Sequence, residues 1–169
     1  QEAQLKKKWL VKYNEPALNN NITIGILGVG YLGSFVGKQL LKHGYNIIGF
    51  KNTKPNNNYP FPVFYKKSSI RIFLRQSDVV VCILPSTSDT RHMVNRNFLK
   101  EMKKNALLIN VGRGFTLHEK ALVTHLKKYK QFYASLDVFE REPLSTTSSL
   151  WKLPNVTITP HIASLTLVD

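Results

Sequence analysis

"ITIGILGVGYLGSFVGKQLLKHG", residues 22–44, decides how the rest of the chain is read. Residues 22–27 are almost wholly apolar, the composition of a buried strand. Tyr31 to His43 carry apolar side chains at helical spacing, and Gly44 is a C-terminal stop signal. Between them stands Gly28-Val29-Gly30-Tyr31-Leu32-Gly33, a G-x-G-x-x-G string joining strand directly to helix. In that setting Gly28 permits the tight turn, Gly30 lets the backbone come close to a pyrophosphate, and Gly33 lets helix and strand pack. The free N–H groups opening the helix, from Tyr31, Leu32 and Gly33, and the helix dipole then favour phosphates. The competing reading of the glycines is a tight turn that binds nothing.

Working outward, the same alternation recurs. "YNIIGF" (45–50) is a strand, the Asn/Pro-rich stretch 52–62 a loop, and "PVFY" (62–65) a short strand. "SSIRIFLRQS" (68–77) reads as an amphipathic helix with a Ser N-cap, and "DVVVCILP" (78–85) as a buried strand. Helices over 95–105 and 117–130 alternate with strands over 106–111, 131–138 and 155–160. Short apolar strands alternating with helices mean βαβ units and a parallel sheet covered on both faces. Ligands of such sheets bind beyond the carboxyl ends of the strands, where every motif discussed here falls.

A length of 169 residues suits one sizeable core better than two. No apolar run approaches the ~18 residues of a membrane span and none has a signal-peptide layout, so no membrane partner is expected and the expected setting is cytoplasmic. Cys82, the single cysteine, has no partner for an internal disulfide and sits in an apolar run, as a buried residue does. The net charge of +14 raises nucleic acid as a partner, but the basic residues are spread along the chain, in runs no longer than Lys6-Lys7-Lys8. They read as solvated surface whose field favours anionic ligands, and no nucleic-acid partner is expected.

After the second strand a dinucleotide site for NAD ordinarily has an acid that accepts from the ribose 2′-OH and repels a 2′-phosphate. Here the chain has Lys51, Asn52, Thr53 and Lys54. A methyltransferase reading of the glycines also expects that acid. Lys51 and Lys54, with Asn52 between them, favour a 2′-phosphate and hence NADP(H) over NAD(H), although in a lysine-rich chain they also read as plain surface cations.

Three further stretches, "LINVGRGFTLHEKAL" (108–122), "LDVFEREPL" (136–144) and "TPHIAS" (159–164), carry the chemistry. With the glycine turn and "CILPSTSDTRHMVN" (82–95) they resemble, in order, the cofactor domain of the D-isomer-specific 2-hydroxyacid dehydrogenases. "KWL" near residue 9, "REPL", "SSLW" and "VTITPHIAS" look most like the family's bacterial glyoxylate/hydroxypyruvate reductase branch, whose members favour NADPH. The resemblance implies a Rossmann-type, doubly wound parallel sheet in three α/β/α layers over 22–160. It also implies that 1–21 is the lead-in from a substrate domain and that 161–169 begin a C-terminal helix. Such a fragment is expected to bind cofactor but to turn over poorly by itself.

Residue chemistry and resemblance agree on the catalytic set. Arg113, between Gly112 and Gly114, offers a planar fork for a substrate carboxylate. His161 is the candidate proton donor, and Glu142, in preference to Glu140, the carboxylate on its other ring nitrogen. The resemblance further brings Leu84, Pro85 and Thr90 near the cofactor, Val111 and Gly112 beside the nicotinamide ribose, Asp137 to the nicotinamide amide, and Ala163 with Ser164 to the same wall. His43, His92, His118 and His125 read as structural, and no metal-ligand cluster is evident. The implied substrate is a small 2-keto acid, reduced by NADP(H) or NAD(H), and the implied assembly a homodimer. The rival from another class is a dinucleotide-sensing, partner-binding protein of the same fold, which would not need Arg113, Glu142 and His161 together. The 3-hydroxyacid dehydrogenases share the glycine turn but lack the "RG", "EP" and "TPH" motifs.

Overall fold

The structure, a computed structural model, describes Lys7, residues 18–55 and residues 58–164. Most of the expected lead-in and the expected C-terminal helix beyond Ser164 lie outside the described residues. Seven strands form one sheet: β1 (Thr23–Leu27), β2 (Asn46–Phe50), β3 (Val63–Phe64), β4 (Val79–Cys82), β5 (Leu107–Asn110), β6 (Tyr133–Leu136) and β7 (Val156–Ile158). Their order is β3-β2-β1-β4-β5-β6-β7, with every neighbouring pair parallel. Chain direction across the sheet therefore reverses between β1 and β4, and the crevice beyond their carboxyl ends is the topological switch point.

The period-two alternation of the strands builds two cores. Ile24, Ile26, Ile47 and Val81 point to one face and pack with Val29, Phe61 and the apolar side of α1 (Tyr31–Lys42). Leu27, Phe50, Val80, Cys82 and Leu108 point to the other face, beneath α2 (Ile70–Gln76), α3 (Arg96–Glu101) and α4 (Glu119–Lys128). The second core is the larger; Phe73, Leu126 and Phe132 are wholly buried in it, each worth about 1.5–3 kcal/mol relative to exposure. This is the three-layer arrangement expected from the alternation of elements.

Two local expectations fail for tertiary reasons. The helix expected over 95–105 stops at Glu101. Met102 turns extended and drops into the core, and Lys103 pairs with Asp78 at 2.7 Å, which bends the chain down toward β5. Ser69 stands at the N-cap of α2 but makes no capping bond, because the segment opens as a 3-10 turn and its hydroxyl donates to the Lys66 carbonyl at 2.6 Å. The Asn95 side chain does cap α3, accepting from the amides of Asn97 and Phe98.

Candidate active site

The glycine turn has the geometry its residues dictate. Gly28 has φ +108°, and a Cβ there would come within 2.8 Å of the Ile83 carbonyl. A Cβ on Gly33 would overlap the Gly28 carbonyl oxygen, so helix and turn meet backbone to backbone. At Gly30 nothing lies within 4 Å, leaving open space above the N-terminus of α1. Glycine thus serves turn, open approach and close packing in the order the motif predicts. The first-turn amides have no partner within their own helix, and phosphate oxygens fit that end.

A cleft of about 290 Å³ opens there, between the Gly28–Gly30 turn, Lys51 and Asn52, and the loop after β4 with Leu84, Pro85 and Thr90. Lys51 is half-buried, its Nζ 5.9 Å from the centroid of the Tyr59 ring. The Tyr59 hydroxyl donates to the Val29 carbonyl at 3.3 Å, so one aromatic side chain joins the lysine to the turn. Lys54 is exposed and does not line the cleft, whereas Asp89 does. The structure brings Lys51 and Asn52 to the glycine turn but not Lys54, and it adds an acid from another strand end. The Thr90 hydroxyl is spent inside its own loop, donating to the Pro85 carbonyl at 2.6 Å and accepting from the Thr87 amide. Tyr31 and Leu32 point outward, 94% and 53% exposed.

The loops after β5, β6 and β7 carry the candidate reacting groups. His161 Nδ1 lies 2.7 Å from Glu142 Oε2, while Glu142 Oε1 accepts from the Phe139 amide at 2.9 Å. Burial alone would raise the Glu142 carboxyl, but His161 and the Phe139 amide outweigh it and hold it below the usual carboxylate range. His161 has φ +56°, a left-handed conformation uncommon for a residue with a side chain, at a position where the ring meets a carboxylate. Glu140 faces the other way, toward His92. Arg113 is exposed, with one guanidinium nitrogen donating to the Gly112 carbonyl at 2.7 Å. Gly112 itself is buried against the backbone of Leu84, so the loops after β4 and β5 touch beside Val111.

Asp137, expected at the nicotinamide amide, also holds the local backbone. It is 4% exposed and accepts from the Thr159 hydroxyl, the Ile162 amide at 3.0 Å and the Ala163 amide at 2.9 Å. Its carboxylate therefore anchors the two ends of the turn that carries His161. Desolvation pushes that carboxyl up, but these three bonds and His161 overcome it and leave it below the usual range. His161 and Glu142 also line an apolar cavity of about 470 Å³, together with Phe139, Leu144, Trp151 and Ile158. Among the described residues no cluster of His, Cys, Asp and Glu has the makings of a metal site.

Residues 1–163 match the family model for the D-isomer specific 2-hydroxyacid dehydrogenase NAD-binding domain. The chain belongs to this family. Among curated 2-hydroxyacid dehydrogenases it is 34% identical over 155 residues to glyoxylate/hydroxypyruvate reductase A of Yersinia enterocolitica, covering 92% of this chain and 49% of that one. It is 40% identical over 144 residues to reductase B of Enterobacter agglomerans, covering 85% and 44%. It superposes with a TM-score of 0.89 and 36% identity on a D-isomer specific 2-hydroxyacid dehydrogenase from Xanthobacter autotrophicus Py2 in complex with NADPH and MES, covering 98% of this chain and 67% of that one. An NADPH-dependent glyoxylate/hydroxypyruvate reductase from Sinorhizobium meliloti, in complex with NADP and sulfate, gives a TM-score of 0.85 and 32% identity, covering 95% and 51%. The chain spans about half the length of the curated relatives it matches.

In this chain three groups escaped sequence reasoning. Tyr59 is remote in sequence from the turn it supports. Asp89 stands in the loop after β4, and only the fold brings it to the cleft that Lys51 lines. Leu144 and Trp151 stand in the "REPL" and "SSLW" stretches, but that they line one cavity with His161 is legible only in the fold.

Proposed function

We propose that this chain is the cofactor-binding half of an NADP(H)-dependent reductase that converts a small 2-keto acid, glyoxylate or hydroxypyruvate, to the 2-hydroxy acid. The observation that carries the reading is the 2.7 Å His161–Glu142 pair, standing at the same end of the sheet as the glycine turn. When bound, the reduced nicotinamide supplies the hydride that goes to carbon 2 of the keto acid. Arg113 binds the substrate carboxylate with its free N–H groups, its fork oriented by the bond to Gly112. His161 gives the Nε2 proton to the alkoxide oxygen as it forms, and Glu142 on Nδ1 fixes the ring. The His161 side chain is 45% exposed, so solvent returns the proton. The homodimer implied by the resemblance belongs to the same reading.

The preference for NADP(H) rests on Lys51, held at the cleft mouth by Tyr59, and on a β2 end without an acid. The names of the solved relatives, one with NADPH and one with NADP, support it. A charge-assisted hydrogen bond is worth about 1.5–3 kcal/mol, so losing one weakens binding by roughly tenfold or more. The test is parallel calorimetric titration with NADPH and NADH at moderate salt. Wild type binds NADPH more tightly; Lys51→Ala removes most of that advantage, and Lys54→Ala, outside the cleft, removes less. Equal binding or an NADH preference overturns the NADP(H) assignment, and binding of neither overturns the cofactor role.

A further inference from the structure

We infer that Glu140 is a positioning residue, one that holds the loop carrying Glu142 against the loop carrying Arg113. The inference rests on the reading of Arg113, Glu142 and His161 as the reacting groups.

The two loops are in backbone contact, since a Cβ on Gly114 would overlap the Phe139 carbonyl oxygen. Beside that contact Glu119, the first residue of α4, and Glu140 exchange bonds. The Glu140 amide donates to Glu119 Oε1 at 2.7 Å, and the Glu119 amide donates to Glu140 Oε1 at 2.9 Å. His92 Nε2 approaches the same Glu140 oxygen at 3.3 Å from the loop after β4. The His92 amide donates to the Phe115 carbonyl at 2.8 Å, two residues past Arg113. The Val94 amide donates to the Thr116 carbonyl and the His118 amide to the Val94 carbonyl. Three loops, those after β4, β5 and β6, thus close on one carboxylate.

The segment 139–142 is pinned at both of its leading amides, Phe139 by the side chain of Glu142 and Glu140 by that of Glu119. Glu140 and Glu142 each meet an imidazole, His92 and His161, and both histidines stand in the left-handed region, with φ +49° and +56°. The arrangement has an electrostatic cost: burial pushes the Glu119 carboxyl above its usual range, and the charge of Glu140 adds to that. Two carboxylates are set together where the Arg113 and Glu142 loops meet, and a fixed distance between Arg113 and the Glu142–His161 pair is what joint action on one substrate requires.

The test compares Glu140→Ala with Glu140→Gln, which keeps an acceptor for the Glu119 amide. The readouts are the ring-nitrogen NMR signals of His161 at one fixed pH, the melting temperature, and NADPH titration. Glu140→Ala should move the His161 Nδ1 signal, as expected when the carboxylate bonded to that nitrogen is displaced. Glu140→Gln should restore the wild-type signal. If Glu140→Ala does not fold, His92→Gln, which removes one contact from the same oxygen, should give a smaller shift in the same direction. A lowered melting temperature with His161 signals unchanged in these variants overturns the inference and leaves Glu140 a stability residue. Loss of NADPH binding in wild type would overturn the proposed cofactor role without touching the His161 readout.

Discussion

Replacing Asp137 with Ala removes the one carboxylate that ties both ends of the His161 turn to the sheet. Hydrogen bonds to an ionised acceptor are worth about 1.5–3 kcal/mol each, so the three from Thr159, Ile162 and Ala163 represent a gross loss of several kcal/mol. Water repays part of it, because Ile162 and Ala163 are exposed, and the buried charge no longer has to be desolvated. The net cost is about 2–4 kcal/mol, a fall in melting temperature of roughly 5–15 °C for a chain of this size. Asp137→Asn keeps one acceptor oxygen but turns an NH₂ toward the remaining donors, and should cost about half as much. The pH dependence has a definite sign. The folded carboxyl lies below its ordinary value, so its contribution is present above the unfolded pKa of about 3.9 and is lost as pH falls through the folded value. Thermal unfolding followed by circular dichroism from pH 7 down to pH 3 should show wild type converging on Asp137→Asn at the acid end. A melting temperature for Asp137→Ala within a degree or two of wild type at pH 7, or an unchanged gap at pH 3, would refute the anchoring role.

Two further outcomes are expected. His125 is 9% exposed, its Nε2 has no hydrogen-bond partner among the described residues, and burial first, then Lys128, pushes its pKa below the ordinary value. The unfolded chain therefore takes up a proton near pH ~6.5 that the folded chain refuses, so stability falls as pH drops below that point. His125→Phe, which keeps the aromatic packing against Tyr129 and Phe132, should flatten the urea midpoint between pH 7 and pH 5; a slope equal to wild type would disprove this. Gly33→Ala sets a methyl group into the Gly28 carbonyl and should cost about 1–3 kcal/mol in urea unfolding while weakening NADPH binding in calorimetry. Unchanged values in both would mean the turn has room that the structure does not show.

The sequence by itself determined the element order, the parallel sheet and the glycine turn, because each follows from local periodicity or from a residue type with one physical use. It also singled out Arg113, Glu142 and His161 as residues at strand ends. It preferred Glu142 to Glu140 through the resemblance, but gave Glu140 no task; only the fold gives one carboxylate to His161 and the other to Glu119 and His92. Lys51 and Lys54 read alike on the page, and only the tertiary structure turns one to the cleft while leaving the other in solvent. Asp137 has a ligand role by resemblance, and the structure adds its bonds to the turn that holds His161. The helix expected to reach residue 105 ends at Glu101 because burying Met102 and pairing Lys103 with Asp78 outweigh helix propensity. The physical reason is common to these cases. Periodicity and residue type act within a few residues of chain, whereas a side chain's direction depends on which distant strand end the sheet places beside it.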